Sequence, residues 1–297
     1  MKFGKVDNPQ IIDFSIPPDH FGTKKAIERY TSDEELKVYV GCAKWNKQDL
    51  KGFYPRGTKD ELQYYASQFN CIELNATFYR MFPIEQYEKW HAKTPEGFKF
   101  FPKINQLISH RKWLLDVELL LEEYINGVIH LKEKLGTIFL QMHNNFAPKN
   151  FDRVISFVDL WPKELPLAIE FRHTDWFNDK TVAEELYQLL EENNIANVLV
   201  DTAGRRDLMH MRLTNNEAFV RYVGANHETD YTRLDDWTKC LREWRNLGLK
   251  NIHFFVHQNL EKESPLLSAY FIEKLNKELG VNIHIPQTLL EGTKKLF

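Results

Sequence analysis

Apolar residues in this chain gather in short runs that recur along its length, with helix-period stretches between them. The runs fall at Val38–Gly41, Cys71–Leu74, Lys99–Pro102, Thr137–Met142, Leu167–Phe171, Asn197–Asp201, Ala218–Val223 and Asn251–His257. Several are apolar on both faces, as parallel strands covered by helices must be. The segments between them read as helices. Thr58 and Glu61 form a capping box ahead of Leu62, Tyr65, Ala66 and Phe69 on one face. Pro83 opens a helix through Tyr87 and Trp90, and Asp116–Leu135 is amphipathic up to Gly136. Later stripes run through Val182, Leu186 and Leu190, through Leu234, Trp237 and Trp244 before Gly248, and from Ser264-Pro265 to Gly280. Thr202–Asn216 leaves space only for a short helix.

Eight strands alternating with helices, every crossover right-handed, close most simply into an α/β fold, the (β/α)8 TIM barrel. A doubly wound open sheet is the alternative, but no GxGxxG turn follows the first strand. The pattern gives one domain, with residues 1–37 as an N-terminal extension packed on the barrel and residues 38–297 as the barrel.

Composition narrows the functional classes. Of 297 residues, 43% are hydrophobic and 27% charged, as in ordinary globular proteins. The net charge of -3 disfavours general affinity for nucleic acid, although a local basic groove is compatible with it. No run approaches the roughly 18 apolar residues of a bilayer span, and the first twenty residues lack an apolar signal core, so no membrane association is expected. Cys42, Cys71 and Cys240 form no CxxC and cannot all pair, which favours a reduced, cytoplasmic setting.

Barrels place their chemistry where strands end. Strand parity puts Glu73 and Asn75 on one face opposite Ile72 and Leu74, and Glu170 and Arg172 opposite Ile169 and Phe171. Glu73, Glu170 and Asp201 are therefore the candidate catalytic acids, converging with Lys103, Arg172 and Arg221 at the barrel mouth. Three acids against three bases is the balance a desolvated site needs. Asn75, Gln141, His110 and His173 join the binding set, with Trp45, Tyr54 and Tyr79 as aromatic walls. The structural alternative is that the Glu–Arg pairs fix strand register and satisfy one another.

At these same strand ends the chain resembles the DUF72 (YecE-like) family. The matching segments are VYVGCAKW, KGFYP, FNCIELNATFYRMFP, TPEGFKFFPK, ISH, FLQM, AIEFRHTDWF, LVDTAG and VRYVG, from Val38 to about Asn259. The resemblance implies a TIM barrel whose activity is not established. The chain departs from the family pattern in three places. Cys42, Ala43 and Lys44 replace a small Thr/Ser-Gly run, Val223 stands where a histidine commonly precedes Gly224, and His257-Gln258-Asn259 keeps only part of a paired-Asn motif. The acid-bearing second and fifth strands are intact.

The first functional expectation is an enzyme acting on a small polar, anionic ligand bearing phosphate or carboxylate. Lys103, Arg172 and Arg221 would hold the anion, with Glu170 or Glu73 as general acid or base. The second is a nucleic-acid-processing barrel with an AP-endonuclease-like fold, using Lys44, Trp45, Lys47, Lys51, Tyr54 and Arg56 on the top loops. The third is a catalytically silent ligand-binding module. No cofactor is expected, a divalent metal being the lesser alternative. His143, His173 and His257 stand at strand ends with the three acids, but no HExxH or close His pair anchors them. Cys42 reads as a small buried filler, the Trp237/Trp244 stripe as core, and His253 as a core histidine.

Overall fold

Each of the eight apolar runs forms a strand in the computed structural model of the protein, which describes residues 4–29 and 34–288. They are β1 (Lys37–Cys42), β2 (Cys71–Leu74), β3 (Lys99–Pro102), β4 (Ile138–Gln141) and β5 (Leu167–Glu170), then β8 (Glu217–Gly224) and β9 (Asn251–Gln258). The sixth run is interrupted at Val198 into β6 (Ala196–Asn197) and β7 (Leu199–Thr202). Because β6 pairs with β5 and β7 with β8, this one interrupted strand joins two sheets.

All ladders are parallel, in the orders β1-β9-β8-β7, β4-β5-β6 and β2-β3. Taken round the ring, this is the strand order of a TIM-like barrel. The ladder is thin between β3 and β4, where Lys103 bridges to Phe139 and the Ile104 N–H donates to the Phe139 carbonyl at 2.9 Å. Between β1 and β2 no backbone ladder forms among the described residues, and two side chains take its place. Asn70 donates to the Val38 carbonyl at 2.8 Å and accepts from the Val40 N–H at 3.1 Å. The Tyr65 hydroxyl donates to the Cys71 carbonyl at 3.0 Å and accepts from the Cys42 N–H at 2.8 Å. Gly41 makes the close approach feasible, since a Cβ there would lie 2.4 Å from the Cys71 carbonyl oxygen.

The helices are α1 (Phe21–Arg29), α2 (Glu61–Gln68), α3 (Ala76–Tyr79), α4 (Ile84–Lys93), α5 (Glu118–Val128), α6 (Phe151–Leu160), α7 (Asp175–Asn178), α8 (Lys180–Glu192), α9 (Thr229–Leu247) and α10 (Ser264–Leu279). Two of these differ from expectation in cap or length, and α1, α3, α6 and α7 lie where no helix is expected. The α2 cap is Asp60, accepting from the Gln63 N–H at 3.1 Å, while the Thr58 hydroxyl donates to the Pro55 carbonyl instead. The expected Asp116–Leu135 helix ends at Val128, and the 3-10 segment after it breaks at Lys132, which has φ 50°. Val154, Phe157 and Val158 form the buried stripe of α6. After β7 comes only the short 3-10 segment Ala203–Leu208, as expected. Gly248 (φ 111°) and Gly280 (φ 63°) end α9 and α10 in the left-handed region that favours glycine.

Inward-facing side chains from every strand, including Tyr39, Cys71, Phe101, Phe139, Ala168, Val200, Phe219 and Phe255, fill the barrel. Two larger apolar layers lie between strands and helices, one around Ile72, Leu140 and Trp176, the other around Val220, Trp237 and Phe254. None of the described helices is long and apolar enough to cross a membrane.

The N-terminal extension spans the height of the barrel. At the C-terminal strand ends the Gly4 carbonyl accepts from Asn259 at 3.3 Å, and a Cβ at Gly4 would lie 2.6 Å from Val223 and 3.4 Å from Thr202. Further along, the Ser15 carbonyl accepts from Arg206 at 2.8 Å, and the Thr23 hydroxyl of α1 donates to Met211 at 2.8 Å. At the opposite end Ile27 accepts from Asn216, and Glu34 from Lys250.

Replacing Tyr65 by Phe should strand the buried Cys42 N–H and Cys71 carbonyl at the β1–β2 seam. Urea unfolding should show a loss of about 1–3 kcal/mol, and a loss below about 0.5 kcal/mol would mean the hydroxyl does not hold the seam.

Candidate functional site

Side chains from six strands or their ends meet at the mouth of the barrel, and Arg221 of β8 stands at the centre. Its guanidinium donates twice to Glu73 of β2, Nε to Oε2 at 2.9 Å and Nη2 to Oε1 at 2.8 Å. Through Nη1 it also donates to Glu170 of β5 at 2.6 Å. Arg172 binds the other side of Glu170, Nε to Oε1 at 2.5 Å. Gln141 of β4 donates its amide to both Glu170 oxygens, at 3.0 and 2.9 Å. Lys103, just past β3, donates from Nζ to Gln141 Oε1 at 2.8 Å. On the far side, Glu73 takes Asn75 Nδ2 at 2.8 Å and is within 2.9 Å of His257 Nε2. Strand parity brings these groups together, because each alternates with an outward apolar residue that packs under a helix. The Phe139 ring lies beneath, 5.4 Å from the Arg221 guanidinium and 5.9 Å from Lys103 Nζ.

The electrostatics follow from this packing. Burial alone would push Glu170 up, but the Arg172 and Arg221 guanidiniums hold it down to about 2. Glu73 is also held well below the usual carboxylate range, with Arg221 and then His257 overcoming the effect of burial. Both carboxylates are therefore ionised and saturated with donors. Lys103 is the opposite case. It is 6% exposed and makes no ion pair among the described residues, and burial, followed by Arg221 and Arg172, pushes it down to about 7. His110 lies over the Phe78 ring at 4.9 Å, and burial and then Lys103 push it down to about 4.

Of the residues expected at the mouth, Glu73, Glu170, Arg172, Arg221, Lys103, Gln141 and Asn75 come together. Asp201 does not. It points away from the barrel axis, where it binds Arg233 at 2.7 Å, the Trp237 indole at 2.7 Å and Arg206. Val198, Leu199 and Val200 are all apolar, so that strand carries no parity signal, and it is Val200 that faces inward. Tyr54 is 8% exposed, packed on Phe53 and Tyr64 with its hydroxyl donating to the Trp45 carbonyl, so it is core rather than a wall of the site. Trp45 packs edge-on against Trp90. Tyr79 stands on the rim, 71% exposed. His173 Nδ1 accepts the Asp175 backbone N–H at 3.3 Å at the start of α7, outside the cluster.

Two groups at the site lie outside the expected catalytic and binding set, His257 being expected there only as an alternative metal ligand. His257 shares parity with the inward Phe255, a signal that was present in the strand. Phe78, whose ring lies 4.2 Å from Lys103 Nζ, is reached only through the one-turn helix α3. Among the described residues no three His, Cys, Asp or Glu side chains are grouped to hold a metal. Cys42 is buried beside Ser268. A cavity of about 80 Å³ bounded by Trp161, Asn193, Asn215 and Glu217 lies at the other end of the barrel, where β5 and β8 begin.

The family described as "Protein of unknown function DUF72" matches residues 39–289. The chain belongs to that family. The UPF0759 protein YecE of Escherichia coli is 26% identical to this DUF72 protein over 275 residues, covering 84% of this chain and 98% of the relative. The UPF0759 protein YunF of Bacillus subtilis is 26% identical over 238 residues, covering 69% and 83%. The crystal structure of the DUF72 family protein EF0366 of Enterococcus faecalis superposes with a TM-score of 0.67 at 18% identity, covering 84% of this chain and all of that one. That likeness extends to the fold. The charged cluster lies inside the matched region, whereas the N-terminal extension precedes it.

Substituting Arg221 by Met should leave Glu73 and Glu170 buried beside a neutral side chain. A destabilisation of about 3–5 kcal/mol is expected in denaturant unfolding, with a smaller effect contradicting the central place of this residue.

Proposed function

We propose that this DUF72 protein binds a small phosphate- or carboxylate-bearing molecule at the barrel mouth and handles it by acid–base chemistry centred on Lys103. The observation that carries the reading is a charge imbalance. With Asp201 turned outward, two buried carboxylates face three basic side chains, of which Lys103 has no ion pair among the described residues. A buried cation lacking a counter-charge is costly, so the cluster favours an incoming anion. Arg172 and Arg221 supply planar donors suited to such a group, oriented by Glu170 and Glu73. In this reading the two glutamates position the arginines, and the proton exchanged near neutral pH belongs to Lys103. A nucleic-acid substrate draws less support, because two of the loop lysines it would use are engaged within their own loop. Lys44 pairs with Asp49 at 3.2 Å, and Lys47 donates to the Thr58 carbonyl at 2.6 Å.

The test is thermal stabilisation by sulfate, whose charge is constant across the range, measured from pH 6 to 9 beside short DNA duplexes and single strands. An anion prefers the ammonium form of Lys103. Sulfate affinity should therefore fall as pH rises above about 7, by up to tenfold per pH unit. Lys103→Met and Arg172→Ala should lose the sulfate shift. Without ligand, folded Lys103 binds fewer protons than unfolded Lys103 between about 7 and its ordinary 10.5, so this group makes stability rise with pH across that window. Lys103→Met should remove that contribution. Sulfate stabilisation that is independent of pH and retained in both variants would overturn the reading, and stabilisation by DNA alone would replace it.

A further inference from the structure

We propose that Lys103 is a carbonyl-reactive amine, whose Nζ adds to the aldehyde or ketone carbon of an anionic substrate held at the barrel mouth. This deepens the anion-site reading and rests on it. The geometry sets Lys103 apart from the other buried cations. Arg221 and Arg172 saturate Glu170, and Gln141 places its amide on both remaining faces of that carboxylate. Gln141 can then offer Lys103 only its neutral carbonyl oxygen, at 2.8 Å. A carboxylate in that position would lock the side chain as ammonium, which is unreactive. The buried Lys134 makes a useful contrast, since its Nζ is held by two backbone carbonyls, those of His91 and Thr94, both at 2.6 Å. Lys103 Nζ makes a single hydrogen bond among the described residues, and the Phe78 ring lies 4.2 Å from it.

The surrounding charges agree with an amine. Arg221 of β8 and Arg172 beyond β5 lower its proton affinity, while Glu170 and Glu73 partly offset them, and His110 faces it from the rim. The Phe78 ring favours the ammonium to a smaller degree. Desolvation near other cations is a general route to a nucleophilic lysine.

The step balances without a redox partner. The Lys103 ammonium first sheds a proton, the freed Nζ lone pair attacks the carbonyl carbon as nitrogen sheds a second proton, and the carbonyl π pair moves to oxygen, which takes up one of the two. The carbinolamine then expels that oxygen as water after a second protonation, leaving a carbon–nitrogen double bond. Overall, one ammonium and one carbonyl give one iminium and one water. The iminium retains the positive charge that Arg172, Arg221 and the bound anion are arranged around.

The experiment incubates the intact protein with dihydroxyacetone phosphate or pyruvate and sodium cyanoborohydride, then maps reduced adducts by peptide mass spectrometry. Glycerol 3-phosphate and lactate, which lack the carbonyl, are assayed in parallel by thermal shift. Labelling at Lys103 should exceed that at exposed lysines such as Lys44 by at least roughly tenfold, and its rate should rise through about pH 7. Lys103→Arg should lose it. Labelling spread over exposed lysines with none favoured at Lys103 overturns the proposal, and the mapping on the unaltered protein holds even if the variant folds poorly. Stabilisation by the carbonyl-free anions together with absent Lys103 labelling would leave the anion site standing without amine chemistry. Neither labelling nor stabilisation would remove both.

Discussion

The mouth of this barrel depends on one guanidinium shared between two carboxylates. Arg221 reaches from β8 to Glu73 on β2 and Glu170 on β5, so a single side chain ties three strands across the barrel axis. Carboxylates buried in this way require matching charges and hydrogen bonds. Arg172, Gln141, Asn75 and His257 complete the matching for the two acids. Among the described residues, Lys103 Nζ is attached to the network through the Gln141 side-chain carbonyl. The same bonds that stabilise the carboxylates therefore leave one basic group short of a counter-charge, and structure and reactivity have a common origin.

A second buried network sits one layer outward, where Arg233 joins Asp201 and Asp230 beneath α9. Its position is structural: the groups lie between strand and helix, and the Phe14 ring of the N-terminal extension covers Arg233 at 4.4 Å. The extension thus makes the barrel's outer layer continuous on the side where only a short 3-10 segment follows β7. Its beginning also reaches the mouth. Gly4 rests on Val223, 2.6 Å from where a Cβ on that glycine would lie. The extension precedes the region matched by the family.

Much of the architecture was legible in the sequence because a parallel sheet buried by helices writes itself as apolar runs and stripes. All eight runs became strands, and parity correctly sorted Glu73, Asn75, Glu170 and Arg172 to the inside. Parity failed at Asp201 because Val198, Leu199 and Val200 are alike in polarity, so nothing local distinguishes the two faces. Tyr54 was misplaced for a related reason: an aromatic ring with one hydroxyl suits a ligand wall and a core equally, and the packing of Phe53 and Tyr64 decided between them.

By itself the sequence determined the barrel, its strand ends and the residue types gathered there, since these follow from periodicities of two and of about 3.6 residues. Tertiary structure alone decided which charges pair. Residues 148 positions apart share the Glu73–Arg221 bond, and no local rule selects that partner over Lys103. It also decided that Tyr65 and Asn70 would bridge β1 and β2, and that the N-terminal extension would run from the mouth to the far end of the barrel. The reactivity assigned to Lys103 belongs to this second class. Its amine character comes from neighbours on other strands, and burial and Coulomb interactions exist only once the ring of strands has formed.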